Sequence, residues 1–377
     1  MKVSRVGVIA GLVACTIAIA ACSSSKTTNN TTSSPAGGNS SSSSSAAAAP
    51  TCSTGKLNAQ GSTAQTNAMD AWIKAYQTAC SGATITYNPT GSGAGVTGFN
   101  AGQNDFVGSD SALSPSAGEY SKAQTRCGSA PMDLPMVVGP IAIAFKLSGV
   151  TKLVLNGPTV AKIFLGQITT WNDPAIATLN SGVTLPSTKI TVYYRSDSSG
   201  TTQNFERYLA ATAPSIFTST PDKDSSKAHF AGQGKAKSQG VSAAIASTEG
   251  SIGYDEFSFA VSGGLSTADI DNGGGPVTLS KDTASAAAQS ATVKSSGPGD
   301  LSLSINYATT TPGAYPIILV TYEIVCTKYS NSATGTFVKN FMNYTANGGQ
   351  AALAGLGYAP LPAALQTQVN ASIATIS

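Results

Sequence analysis

Three turns in this chain carry the residues best suited to chemistry. They read Gly61-Ser62-Thr63-Ala64, Gly91-Ser92-Gly93-Ala94-Gly95 and Arg195-Ser196-Asp197-Ser198-Ser199-Gly200-Thr201. Each joins a strand pattern to a helix pattern. Small residues there let the backbone approach a ligand closely. The first N–H groups of a helix lack partners, and the helix dipole favours an anion at that end. Serine and threonine hydroxyls add donors. Arg195 adds a planar fork that matches phosphate or carboxylate oxygens. Any one of these turns, taken alone, is better explained by helix capping, for which Ser, Thr and Asp are the preferred residues. Three together, with an arginine, point to an oxyanion site. In an open α/β sheet such turns gather at the carboxyl ends of the strands.

The surrounding pattern supplies the elements that must hold these turns. Ala68, Trp72 and Tyr76 recur at i, i+4 and i+8, with Met69 and Ile73 beside them, so a helix is predicted to about residue 79. Strands are predicted at 56–60, 83–87 and 105–108, and a short helix at 96–101. The apolar run 135–145 suits a buried strand. Strand and helix alternate, which gives an α/β class with mostly parallel strands. A second unit follows Leu147. It has a helix at 159–168, a strand at 190–194, a helix at 202–211 and a strand at 252–254. The stretch 260–312 is rich in Gly, Ser, Thr and Ala and is predicted to be irregular surface. A strand at 316–325 and helices at 336–344 and 350–356 complete the chain. There is no solenoid repeat.

Composition narrows the chemistry. The 377 residues suit two domains. Charged residues make up 10%, against roughly 25% in globular proteins. Lys and Arg number 21 and Asp and Glu 18, a net charge of +3. That lacks the dense basic footprint of a nucleic-acid binder. His229 is the only histidine, in a polar stretch, and reads as a surface residue. A paired-histidine mechanism or a histidine-rich metal site is disfavoured, and no metal or cofactor is expected. Gly93-x-Gly95-x-x-Gly98 fits the dinucleotide pattern but follows the second strand rather than opening the first βαβ unit. No GxxxxGK[ST] loop and no GxSxG elbow occurs.

The first 21 residues read as an export leader, with Lys2 and Arg5 ahead of an apolar run ending in small residues. Ile19-Ala20-Ala21-Cys22 resembles a bacterial lipobox, so Cys22 is expected to be lipidated. Residues 22–51 form a tether rich in Ser, Thr, Asn and Ala, without a core. Without Lys2 and Arg5 the charge is 19 basic against 18 acidic, or +1. With Cys15 discarded and Cys22 modified, four cysteines remain. An exported location favours two disulfides. Cys52–Cys80 with Cys127–Cys326 is the favoured pairing of the three available. Cys52 precedes the first strand and Cys80 the second, and those points share one sheet edge in a βαβ unit.

On these residues the chain resembles the phosphate-binding protein of the Pst-type phosphate ABC transporter. The three turns carry the resemblance, with Asp105-Phe106-x-Gly108-Ser109-Asp110, Ile163-Phe164-Leu165-Gly166-Gln167-Ile168 with Trp171-Asn172-Asp173, and Gly250-Ser251-Ile252-Gly253-Tyr254. The resemblance implies a two-lobed periplasmic-binding-protein fold of type II kind. Lobe I would be 52–144 plus 318–377 and lobe II 145–317. A hinge of crossing strands would join them, with the ligand in the interlobe cleft. Thr63, the Ala64 N–H, Ser92, Arg195, Ser199, Gly200 and Thr201 would hold inorganic phosphate. Asp110 would accept a proton from it and so exclude sulfate, and Asp197 would orient Arg195. The family commonly has an aromatic residue at the position of Ala64, and Gly93-Ala94-Gly95 departs from its usual Ser-Gly-Gly run. The implied protein is a monomeric lipoprotein on the outer face of the cell membrane. It is not an enzyme, and it delivers phosphate to membrane permease subunits. A receptor for another oxyanion such as sulfate or molybdate, a secreted phosphatase and an added adhesin role are the alternatives.

Overall fold

Ala68, Met69, Trp72 and Tyr76 share one face of a helix, and burying that face requires a sheet beneath it. The computed structural model describes residues 49–377. The leader 1–21, Cys22 and the tether as far as residue 48 lie outside the described residues. β1 (Gly55–Gly61), α1 (Thr66–Ala79) and β2 (Ala83–Asn88) form a parallel βαβ unit. α2 (Ser92–Asn100) leads into β3 (Phe106–Ser109), which lies on the other side of β1, also parallel. The sequence pattern starts this helix at residue 96, but it begins at Ser92. Glycine is a poor helix former, yet close packing demands it here. A Cβ at Gly95 would stand 2.5 Å from the Cα of Gly61.

β4 (Pro131–Lys146) sets the architecture. Its first part pairs antiparallel with the strand Ile318–Cys326, and its last six residues pair antiparallel with Ser251–Glu256. The main sheet therefore mixes directions, where mostly parallel strands were expected. Patterns of burial reveal apolar strands but not their direction. Two hydrophobic cores flank the switch in partners. Val137 and Val138 belong to the first core, Ile141 and Ala142 to the second. Ile318 packs into the first core and Leu319 into the second. Both strands thus run from one lobe to the other. The register shifts beside Thr321, where Thr321 faces Val137 but Tyr322 faces Pro135. Pro135 has no N–H to give the ladder, which favours such an irregularity.

Packing cuts across the expected lobe boundaries. Ile141 to Ala144 pack in the second core, although the range 52–144 assigns them to lobe I. Ala284, Ala287, Ala288 and Leu301 pack in the first core, inside a stretch assigned to lobe II. That stretch is also more regular than predicted. It contains the helix Lys281–Ala288, whose capping box joins Ser280 and Thr283. Small alanines bury well where a helix lies close, so a shortage of large apolar residues does not mark a loop. Residues 350–356 form 3₁₀ turns rather than an α-helix. The helices Glu119–Cys127, Lys237–Ser247 and Ala363–Ala374 had no counterpart in the pattern. No helix among the described residues is long and apolar enough to cross a membrane.

Disulfides join Cys52 to Cys80 and Cys127 to Cys326, with Cα separations of 5.2 and 5.5 Å. The first closes 28 residues at the edge of the β1–β2 unit, and the second spans 199 residues. In the chain-entropy account these loops are worth about 3.5 and about 5 kcal/mol. Replacing Cys127 and Cys326 by alanine should therefore destabilise the protein more than replacing Cys52 and Cys80. Denaturant unfolding of the two double variants measures this, and equal losses would contradict it.

Candidate functional site

The turns converge because β1 and β3 run parallel and end side by side. Gly61 has φ +139°, and a Cβ there would stand 2.0 Å from the Gly108 carbonyl oxygen. Only glycine permits that approach. It lets the Ser62 N–H donate to the Gly108 carbonyl at 2.8 Å. Ser62 is thereby set beside Asp110, which follows β3.

Asp110 is 2% exposed and accepts from four hydroxyls. Its Oδ1 takes hydrogen bonds from Ser62 at 2.5 Å and Thr321 at 2.9 Å. Its Oδ2 takes them from Ser92 at 3.3 Å and Thr201 at 3.2 Å. Ser62, Ser92 and Thr321 belong to the first lobe, and Thr201 to the helix Gly200–Thr212 of the second. Asn204 of the same helix donates to the Asp110 carbonyl at 2.7 Å and to the Gly200 carbonyl at 2.8 Å. Burial pushes the Asp110 carboxyl above its ordinary value, while the Ser62 and Thr321 bonds and Arg195 pull it back.

Arg195 ends the strand Thr191–Arg195 and is 1% exposed. Its Nε and Nη2 donate to Asp197 at 2.7 and 2.5 Å, a bidentate pair. Its Nη1 donates to Ser238 Oγ at 3.3 Å. Burial works against the guanidinium charge, but the Asp197 bonds outweigh it and hold the pKa above its ordinary value. Burial likewise works against the Asp197 carboxylate, and Arg195 outweighs that, leaving its pKa low. The Lys237 N–H donates to Asp197 at 2.9 Å, fixing the pair from a third side.

The structure brings Thr63, Ser92, Asp110, Arg195, Asp197, Ser199, Gly200 and Thr201 into one buried region. Thr63 Oγ1 lies 3.0 Å from Ser238 Oγ. Ser199 caps its helix through the Thr202 N–H at 3.3 Å. A Cβ at Gly200 would meet Asp110 Cβ at 2.7 Å and Ser92 Oγ at 2.9 Å. The Gly93 N–H donates to the Ser198 carbonyl at 3.1 Å, another contact between the lobes. The Ala64 N–H donates to Ser62 Oγ at 3.1 Å, and its methyl packs in the second core. His229 is exposed.

Several residues of this region were not singled out from sequence. Ser238 opens the helix Lys237–Ser247 without a glycine-rich turn to mark it. Thr321 lies within an apolar strand, and Asn204 one helical turn beyond Gly200. Ser62, beside Thr63 in the first turn, bonds Asp110 directly. Three further carboxyls are fully buried nearby. Burial pushes Asp255 to about 8, with Arg195 opposing. Burial also pushes Glu323 to about 8, with help from Asp110. Glu256 is pushed well up by burial despite hydrogen bonds from Ser258.

Three helix starts, several hydroxyls and a guanidinium supply donors, and the Asp110 carboxylate supplies an acceptor among them. That suits an oxyanion bearing a proton.

The chain has relatives that match this architecture. Residues 44–348 match the PBP superfamily domain. The phosphate-binding protein PstS2 of Mycobacterium bovis is 46% identical over 327 residues, covering 85% of this chain and 87% of the relative. The phosphate-binding protein PstS of Xylella fastidiosa is 32% identical over 319 residues, covering 84% of each. Among solved structures, a high-affinity periplasmic phosphate-binding protein, PfluDING, bound with phosphate, superposes with a TM-score of 0.68 at 25% identity. That match covers 84% of this chain and 93% of the other. With its two cores joined by crossing strands and its turns gathered at Asp110 and Arg195, the chain belongs to the PstS family of phosphate-binding proteins.

Proposed function

We propose that this protein captures inorganic phosphate outside the membrane and passes it, chemically unchanged, to the permease subunits of an ABC transporter. The observation that carries the reading is Asp110, a buried acceptor among hydroxyls from both lobes. An ionised carboxylate repels an anion unless the anion brings a proton to donate. Hydrogen phosphate and dihydrogen phosphate do so near neutral pH, and sulfate does not. Sulfate would set two acceptors against each other, which is discrimination by an unfavourable contact.

In this account Thr63, the Ala64 N–H, Ser92, Ser199, Gly200, Thr201 and Arg195 hold the phosphate oxygens, with Ser238 added from the structure. Asp197 keeps the Arg195 fork in plane. Closure about β4 and Ile318–Cys326 brings the two sets of donors together. A net charge of +1 beyond the leader gives no bulk attraction for an anion, so affinity comes from these local groups. The single exposed histidine fits a receptor that performs no acid–base step. Cys22 carries the lipid, and 22–51 tether the monomer to the membrane.

Three outcomes follow. Asp110→Asn should narrow the preference for phosphate over sulfate by about 10- to 100-fold, the scale of one hydrogen bond to a charged group. Titration calorimetry with both anions measures it, and unchanged discrimination would refute the role of Asp110.

Gly200→Ala places a methyl between Asp110 and Ser92. Overpacking of roughly 1–3 kcal/mol should weaken phosphate binding about five- to 100-fold. Unchanged affinity would contradict the close approach.

The third outcome concerns pH. Asp255 and Glu323 rise from ordinary values of 3.8 and 4.5 to about 8 on folding. Between those limits the folded state holds protons that the unfolded state has released. Stability should therefore be greatest near the bottom of that window and fall as pH rises toward 8, by up to about 1.4 kcal/mol per pH unit for each group. Glu323→Gln should make the fall shallower in thermal melts. An unaltered slope would show that Glu323 does not titrate there.

A further inference from the structure

A cavity of about 730 Å³ opens between the lobes, and Asp110 belongs to its wall. Arg207, on the helix Gly200–Thr212, lines the same cavity. It is half-buried, and no carboxylate among the described residues forms an ion pair with it. Arginine seldom leaves water without an anionic partner. The guanidinium lies against the Tyr307 phenol. Burial pushes that phenol above its ordinary value, and Arg207 opposes the push. The Tyr307 hydroxyl donates to Asn204 Oδ1, and Asn204 donates to the Asp110 carbonyl at 2.7 Å. Two side chains thus connect Arg207 to the Asp110 centre.

The cavity also carries Lys294, exposed and likewise without an ion pair among the described residues. Two acidic residues lie behind its serine-rich wall. Asp300 accepts from the Ser296 N–H, from Ser302 and from the Asp133 N–H. Asp133 accepts from the Leu113 N–H, and burial with the neighbouring Asp300 pushes its carboxyl well up, toward the neutral form. Arg207 and Lys294 are the two cationic side chains of the cavity wall, and Asp110 is its acidic one.

We propose that Arg207 forms an outer oxyanion station in this cavity, where phosphate is first held before it crosses to the Asp110 centre, with Lys294 adding to the attraction. The inference rests on the phosphate reading above. The guanidinium fork would take two phosphate oxygens. It would raise the local anion concentration beside the buried site without itself being part of that site. Such attraction speeds association and is screened by salt.

Rapid-mixing measurements of phosphate association test this on the whole protein, with Arg207→Gln and Arg207→Lys beside the wild type. At low ionic strength Arg207→Gln should slow association about five- to tenfold, at the lower end of known electrostatic steering effects. At about 1 M salt, where screening acts within about 3 Å, the difference should shrink below about twofold. Arg207→Lys should recover only part of the rate lost in Arg207→Gln, since it keeps the charge but not the fork. An Arg207→Gln rate within about twofold of wild type at low salt would overturn the station. So would a slowing of equal size at both salt concentrations, which marks a structural effect. A wild-type protein that binds no phosphate would instead overturn the phosphate reading itself.

Discussion

A carboxylate removed from water must find donors, and Asp110 finds four hydroxyls. Much of the architecture follows from that requirement. Ser62 is delivered by a turn that only glycine can make. Ser92 comes from the start of a glycine-rich helix. Thr321 comes from a strand whose ladder is irregular beside it. Thr201 must come from the other lobe, so the satisfaction of one buried charge also brings the lobes together. Arg195 solves the opposite problem in its own lobe, where Asp197 occupies two of its donors and leaves Nη1 toward Ser238 and Thr63. A mobile anion meets a centre in which the fixed charges are already paired or hydrogen-bonded.

The crossing strands make such a centre compatible with motion. β4 leaves one core and enters the other within a few residues, changing partners as it does so. Each lobe keeps its own apolar cluster. Movement between them therefore need not disturb either core, and the backbone that must flex is confined to the crossing. The site lies beside that crossing, where Thr321 and the carboxyls Asp255, Glu256 and Glu323 are buried. Burial pushes all three carboxyls toward their neutral forms, which lessens the negative charge facing an incoming anion.

Local pattern made a large part of this legible. The turns at Ser62, Ser92 and Arg195 combine small residues and hydroxyls at strand ends, and that signal belongs to the chain segment itself. The helix around Trp72 and the strand through Val320 were legible for the same reason, since periodicity and apolar runs are local. Strand direction was not, because β4 takes its partners from positions more than a hundred residues away. Ser238 and Asn204 were hidden because nothing local separates a site serine from a capping one, or a site asparagine from a solvated one. The helix Lys281–Ala288 escaped because alanines look like linker until another element is seen pressed against them. Arg207 carries no local signal, because its lack of an ion pair among the described residues is visible only in the folded chain.

The central claim is that a site built from hydroxyl and backbone donors, the Arg195 guanidinium and one buried acceptor selects phosphate by its proton. Equilibrium binding of phosphate to the protein stripped of bound anion, with sulfate as competitor, tests it most directly. The account predicts saturable binding of one phosphate per chain that a large excess of sulfate leaves nearly unchanged. Displacement of phosphate by sulfate at comparable concentrations would contradict it.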